Sequence, residues 1–212
     1  MRMKIAVIGA GNVGSALGTG WAKAGHTIVF GVRDVNKAPL KALCERIGAT
    51  AAAPAEAARQ GDVVVLALPW NVAENAVKSL GDLKGKIIID SMNPLAMKDG
   101  ALGLERGYTT SGAEAVASWL AGAKVVKTFN QVGAEMMMAG DRFPTPPVMF
   151  LAGDDDGAKS TVAQLVRELG FEALDAGALK QARLLEPFAM VWINQAILRG
   201  LGRDWAFGVI RL

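Results

Sequence analysis

Residues 4–25 read "KIAVIGAGNVGSALGTGWAKAG", and the order of residue types in this stretch decides the fold. Lys4 to Ile8 is apolar and β-branched on successive residues, the pattern of a parallel strand buried on both faces. Gly9, Ala10, Gly11, Asn12, Val13 and Gly14 then match G-x-G-x-x-G. Small and apolar residues at helical spacing follow, with Gly25 as the stop. The glycine pattern alone carries little weight. Between a buried strand and a helix it is the arrangement that needs those glycines. Gly9 permits the tight turn, Gly11 lets a pyrophosphate approach the backbone, and Gly14 lets the helix sit close to the sheet. The helix N-terminus then offers unpaired N–H groups and a partial positive charge to phosphates.

Outward from this unit the alternation continues. Strands are predicted at "HTIVFGV" (26–32), "DVVVLAL" (62–68), "KIIID" (86–90), "AKVVKTF" (123–129), "PPVMFLAG" (146–153) and "FEALDAG" (171–177). Helices are predicted at "NKAPLKALCERIG", at "NVAENAVKSL" from Asn71, at "GAEAVASWL" and at "GAKSTVAQLVREL". Alternating strands and helices without hairpin signals predict an α/β, Rossmann-type, doubly wound and mainly parallel sheet, with a small C-terminal helical extension. Gly and Pro thicken around residues 129–147, which sets an expected border. Residues 1–128 are expected to form the nucleotide-binding domain and 129–212 a smaller α/β and helical portion that completes the acceptor site. The last thirty or so residues are helical in pattern with little polar face, so they are expected to pack on this chain or on a partner chain.

Composition excludes several classes. With 51% apolar residues, 20% charged residues and a net charge of +3, the chain is expected to fold as an ordinary globular protein. No run of Lys and Arg interleaved with aromatics points to nucleic acid. The single Cys44 cannot form an internal disulfide, which fits a cytoplasmic setting. The apolar run near the N-terminus reaches glycines too soon for a signal peptide. "LLEPFAMVWINQAIL" (184–198) contains Glu186 and Pro187 and is too short to cross a bilayer.

Cofactor choice turns on "FGVRDVNKA" (30–38). An NAD site places a carboxylate at the end of the second strand, where this chain has the apolar Val32. Asp34, two residues on, suits the cap of a helix beginning near Asn36. Arg33 can lay its planar fork on a phosphate and Lys37 can add a point charge, so NADP is expected over NAD. Three further strand ends point at one crevice. Leu68, Pro69 and Trp70 end one, with Trp70 either an apolar wall for the cofactor or an anchor for a surface helix. "DSMNPL" (90–95) ends the next, where Asn93 can hydrogen-bond through both ends of its amide and Pro94 stiffens the loop. "TFNQVGA" (128–134) ends the third.

Groups able to move a proton are scarce. His26 opens the second strand at the edge away from the nucleotide and reads as structural. Tyr108 is the only tyrosine, in a glycine-flanked loop, and Lys127 lies within a strand. A chemistry with no general acid fits this poverty. "GDDDGAKS" (153–160) reads as a turn and helix N-terminus, not a metal site, and no metal is expected. "MMM" (136–138) suits core packing or a flat apolar pocket.

Taken together, "IAVIGAGNVGSALG", "GHTIVFGVRD", "LALPW", "VVKTFNQVGA", "AGDDDGAK" and "DAGALKQARLLEP" resemble, in this order, the coenzyme F420-dependent NADP reductase family. They are also similar to the NADPH-oxidoreductase domain of the ferric reductases called six-transmembrane epithelial antigens of prostate (STEAP). The likeness covers nearly the whole chain, and "DAGALKQARLLEP" is its most discriminating part. The resemblance implies a homodimer in which hydride passes directly between the nicotinamide of NADP(H) and a flat deazaflavin or flavin-type acceptor. It implies that Ala10, Gly11, Asn12 and Val13 contact the pyrophosphate, and that Val32, Arg33 and Lys37 lie at the 2′-phosphate. Trp70, Asn93, Leu95 and Ala134 would surround the rest of the cofactor, with Asn93 and Asn130 on the acceptor side. The family's methanogen reductases have a serine and a second arginine around Arg33, where this chain has Val32 and Asp34. Where they place a histidine near the deazaflavin, it has Asn130, as the ferric-reductase domains do. An NADPH-dependent flavin or ferric reductase, or a non-catalytic NADPH-binding regulator, remains the alternative.

Overall fold

In the computed structural model, which describes residues 2–212, the strands read as continuously apolar are buried on both faces of one sheet. The chain opens β1 (Lys4–Ile8), α1 (Asn12–Lys23), β2 (Thr27–Gly31), α2 (Ala38–Ile47), β3 (Thr50–Ala52) and α3 (Pro54–Gln60). It continues β4 (Val63–Leu66), α4 (Trp70–Lys78), β5 (Ile87–Asp90), β6 (Leu95–Lys98), β7 (Ala101–Leu104), α5 (Gly112–Trp119) and β8 (Lys124–Lys127). It closes with β9 (Val148–Gly153), α6 (Asp156–Arg167), β10 (Glu172–Asp175) and α7 (Ala182–Ile193), which runs on into a π-helical turn at Asn194–Leu198. The sheet order is β10-β9-β8-β5-β4-β1-β2-β3. From β3 to β8 all neighbours are parallel, the doubly wound arrangement. Past β8 that order ends: β9 pairs antiparallel with β8, and β10 is parallel to β9, within the same sheet.

Strand alternation sorts the core into two layers. Ile5, Val7, Val63, Val65 and Ile89 face Leu17 and Trp21 of α1 and Val162 and Leu165 of α6. Ala6, Ile8, Val64, Leu66 and Ile88 face Ala73 and Val77 of α4 and Val116 of α5. Each fully buried Val, Leu or Ile contributes roughly 1.5–3 kcal/mol against leaving it in water. Trp21 joins the two parts of the first layer: its ring is wholly buried and its Nε1 donates to the Leu165 carbonyl at 3.0 Å. α1 can approach this closely because it lacks side chains where it meets the sheet. A Cβ on Gly14 would lie 2.0 Å from the Gly9 carbonyl oxygen, and one on Gly18 would lie 2.6 Å from the Phe30 ring.

Three sequence expectations need correction. The chain does carry a hairpin: β6 and β7 pair antiparallel, with Lys98 opposite Ala101. Its two-residue loop is Asp99-Gly100 at φ 51° and 78°, the left-handed pair that Asp-Gly favours in tight hairpins. The region between the second helix and "DVVVLAL" holds β3 and α3, too short and alanine-rich to show a hydrophobic period. Asp34 does not start a helix. Its Oδ1 accepts from the Asn36 N–H at 2.9 Å in a local turn, and α2 begins only at Ala38. By contrast α5 carries a side-chain N-cap: Ser111 Oγ accepts from the Glu114 N–H at 3.2 Å and donates to the Glu114 carboxylate at 2.6 Å.

The close seating of α1 gives a direct test. Gly14→Ala forces a methyl group against backbone, so overpacking should cost on the order of 1–3 kcal/mol or more in urea unfolding. A variant as stable as the parent would show that α1 does not need this approach.

Candidate functional site

The carboxyl ends of β1, β2, β4, β5 and β8 form one edge of the sheet, where a switch in strand order leaves a crevice. The glycine loop opens it. Gly9 sits at φ 104°, and a Cβ there would meet the Ala67 carbonyl oxygen at 2.4 Å, so only glycine makes this turn. Its N–H donates to the Gly31 carbonyl at 3.0 Å, locking β1 to β2. At Gly11, by contrast, a Cβ would meet nothing within 4 Å. Gly11 is the N-cap of α1 with no side-chain cap, and the first turn carries no acidic residue. A helix N-terminus with open N–H groups and clear space in front of it suits a diphosphate. Ala10 and Val13 are half-buried against the core, and Asn12 is exposed.

Beyond β2, Arg33 and Lys37 are exposed, and neither has an ion-pair partner among the described residues. Val32 is held in line by its N–H to the Ala52 carbonyl at 3.0 Å. The edge next to the glycine loop therefore offers two uncommitted cations and one carboxylate, Asp34, that accepts a backbone N–H. The residues present fit an adenosine with a phosphate on its ribose.

Leu68 packs on the glycine turn, 3.2 Å from where a Gly9 Cβ would sit, and Pro69 caps α4. Of the two roles open to Trp70, the contacts give the anchor. Its ring stacks on Trp119 with centroids 5.5 Å apart, its Nε1 donates to Glu105 at 2.8 Å, and Gly112 lies close against it.

The two asparagines meet. Asn93 Nδ2 donates to the Asn130 carbonyl at 2.9 Å, and Asn130 Nδ2 donates to Asn93 Oδ1 at 3.1 Å and to the Leu185 carbonyl at 3.0 Å. Asn130 Oδ1 accepts from Gln131 Nε2 at 3.1 Å, and Gln131 pairs with both backbone groups of Phe150. Buried Asn130 is thus spent on holding the crevice, while half-buried Asn93 keeps one N–H to offer. The preceding residue, Phe129, is wholly buried at φ 59°. Its edge contact with Trp21, centroids 5.5 Å apart, helps hold a backbone conformation that costs roughly 1–2 kcal/mol. Pro94 accepts the Glu105 N–H at 2.7 Å, which ties the loop to the hairpin, and Leu95 starts β6 and packs on the cluster of Trp192 and Ile193. Ala134 is buried beside Met137.

Of the other titratable residues singled out in the sequence, His26 and Lys127 are locked by partners. His26 Nδ1 accepts from the Met3 N–H and its Nε2 meets Glu168 at 2.7 Å, far from the crevice. Tyr108 is exposed at φ 58°. In the acidic run, Asp154 accepts from the Leu179 N–H and Asp155 caps α6 through the Ala158 N–H. Lys127 is fully buried between Asp90 (3.1 Å) and Glu186 (3.2 Å). Burial pulls its pKa down, but the two carboxyl groups more than offset this and hold it above the ordinary lysine value. Asp90, Gln131 and Glu186 are not marked by the sequence as site residues. The signal was there for Glu186, a lone acid in the apolar run 184–198 that needs a buried partner.

Comparison with known proteins gives the family. Residues 4–94 match the family model described as NADP oxidoreductase, coenzyme F420-dependent. The chain is 32% identical over 206 residues to the F420-dependent NADP reductase of Methanocaldococcus jannaschii, covering 91% of this chain and 92% of that one. A crystal structure of a putative F420-dependent NADP reductase from Arthrobacter sp. FB24 is 31% identical, with TM-score 0.89 over 99% of this chain and 100% of that one. The metalloreductase STEAP3 of Rattus norvegicus is 30% identical over 184 residues, which are 86% of this chain and 36% of that protein.

The empty space at Gly11 separates binding from folding. Gly11→Ala has an ordinary φ of −76° and no clash, so thermal stability should hold or rise slightly. NADPH affinity should fall by roughly tenfold or more as the methyl group meets the diphosphate. Undiminished affinity would move the phosphate site elsewhere.

Proposed function

This chain belongs to the F420-dependent NADP reductase family and is an NADP-dependent oxidoreductase, and from that premise we propose that its acceptor is a deazaflavin of the coenzyme F420 type. The observation that carries the reading is the chemistry of the crevice. Amides and loop-forming residues converge there, and the nearby Lys127 is held by two acids. Oxidising an alcohol needs a side chain that accepts the hydroxyl proton. Hydride passing from carbon to carbon needs only two flat rings held in register.

NADPH, when bound, supplies that hydride. The N–H groups of the first turn of α1, around Gly11, Asn12 and Val13, would hold its diphosphate, and Arg33 and Lys37 its 2′-phosphate. Leu68, Pro69, Asn93, Pro94, Leu95 and Ala134 would border the nicotinamide end. Asn93 has an amide N–H for orienting a ring, and Asn130 fixes Asn93. The portion from residue 129 onward completes the acceptor side through Asn130 and the α7 backbone at Leu185. A flavin or ferric chelate is the second reading, favoured by the similarity to a metalloreductase and by Asn130. Following NADPH oxidation with F420, FMN, FAD and ferric chelates separates the readings. F420 should be reduced fastest, and faster turnover of a flavin or chelate would overturn the choice of acceptor.

No helix among the described residues is long and apolar enough to cross a membrane. We place the protein in the cytoplasm, as a homodimer. Along α7 and the following turn, Leu184, Val191 and Leu198 are exposed at seven-residue spacing, with Phe188 half-buried between them. From Leu184 to Leu198 the only charged residue, Glu186, is buried, so two copies can meet across a two-fold axis without like-charge contact.

Two measurements follow. Arg33→Ala and Lys37→Ala should each weaken NADPH binding by roughly tenfold or more while leaving NADH nearly unchanged. Equal affinities for both nucleotides, untouched by either substitution, would sink the NADP preference. Leu184→Asp with Val191→Asp should turn a dimer into a monomer by sedimentation, and an unchanged dimer would put the interface on another face.

A further inference from the structure

Met92, the residue before Asn93, has both backbone polar groups clamped by buried side chains. Its N–H donates to Asp90 Oδ1 at 3.0 Å, and its carbonyl accepts from the Lys127 ammonium. Lys127 also donates to Asp90 Oδ2 at 3.1 Å and sits 3.2 Å from Glu186 Oε1. An ammonium has three N–H bonds; two are spent on Asp90 and the Met92 carbonyl, and the charge pairs with Glu186. Glu186 in turn accepts from the Gly112 N–H at 2.8 Å and the Ala113 N–H at 3.1 Å, at the start of α5. Every member of the cluster is wholly buried.

We propose that Lys127 is a positioning residue for the nicotinamide end of the site. It fixes the Met92 peptide, and so aims Asn93, and through Glu186 it ties that aim to the seating of α7. The ammonium donates to Asp90 and the Met92 carbonyl and pairs with Glu186 without giving up a proton, so its role is geometric. Asn93 receives the result twice: from the chain through Met92, and from Asn130, whose amide is anchored on the Leu185 carbonyl next to Glu186. The adenosine end stands apart. Arg33, Lys37 and the glycine loop make no hydrogen bond to the cluster, so disturbing Lys127 should leave that grip intact.

This rests on the NADP reading above, and one experiment separates the two. Titration calorimetry compares NADPH with 2′,5′-ADP, which carries the phosphorylated adenosine half without nicotinamide, on the wild type, Lys127→Met and Glu186→Gln. Lys127→Met should lose roughly tenfold in NADPH affinity and keep 2′,5′-ADP binding within about twofold. Its kcat should fall by more than its KM rises, roughly a hundredfold, because a ring held slightly out of place still binds. Glu186→Gln, which keeps one oxygen for one of the two α5 N–H groups, should show the same pattern, and it decides the matter if Lys127→Met fails to fold. Equal weakening of both ligands, or of neither, would overturn the positioning role. A wild type that binds neither ligand would instead overturn the NADP reading.

Discussion

A lysine ammonium shut away from water between two acids is the constraint that organises this molecule. Desolvation opposes the charge on Lys127, yet Asp90 and Glu186 hold its pKa above the ordinary value. With the folded pKa raised, its stabilising contribution is complete below the ordinary lysine pKa and fades only as pH climbs through the raised one. Removing one partner from such a buried pair typically costs about 3–5 kcal/mol, because the others are left uncompensated. The cluster draws on β5, β8, α5 and α7 at once, so elements distant in sequence share one electrostatic knot. α7 is held a second time by Arg183, which meets Glu114 through two N–H groups at 2.9 and 2.6 Å.

The crevice inherits its shape from that knot at one end and from α1 at the other. Gly14 and Gly18 bring α1 onto the sheet, which aims its N-terminus over the carboxyl edge. An anion is attracted there by open N–H groups and by two cations beyond β2. The nicotinamide end has amides instead of charges. This division suits a cofactor with a highly charged half and a reactive flat half, and it leaves catalysis to distance and orientation.

Much of this was legible in the sequence, and the reasons are local. Continuous β-branched runs named the buried strands, and the spacing of Gly9, Gly11 and Gly14 after Ile8 named the cradle, because both signals sit within a few neighbouring residues. The hairpin is equally local, an Asp-Gly step between short runs, but Gly103 interrupts β7 and weakens the alternation that would mark it. Trp70 was undecidable for a different cause: its stacking partner, Trp119, belongs to another helix. The ion cluster lay beyond reading in the same way. Lys127 and Asp90 end adjacent parallel strands, and nothing in either strand says that the register Asp90↔Lys127 places them side by side.

The proposed function requires hydride to move directly between rings held in place by the protein. NADPH carrying deuterium at the transferred position of nicotinamide C4, reacted with F420 in ordinary water, tests this most directly by mass spectrometry of the products. Direct transfer predicts that the label is retained on carbon in the reduced deazaflavin. Loss of the label to solvent during turnover would contradict it.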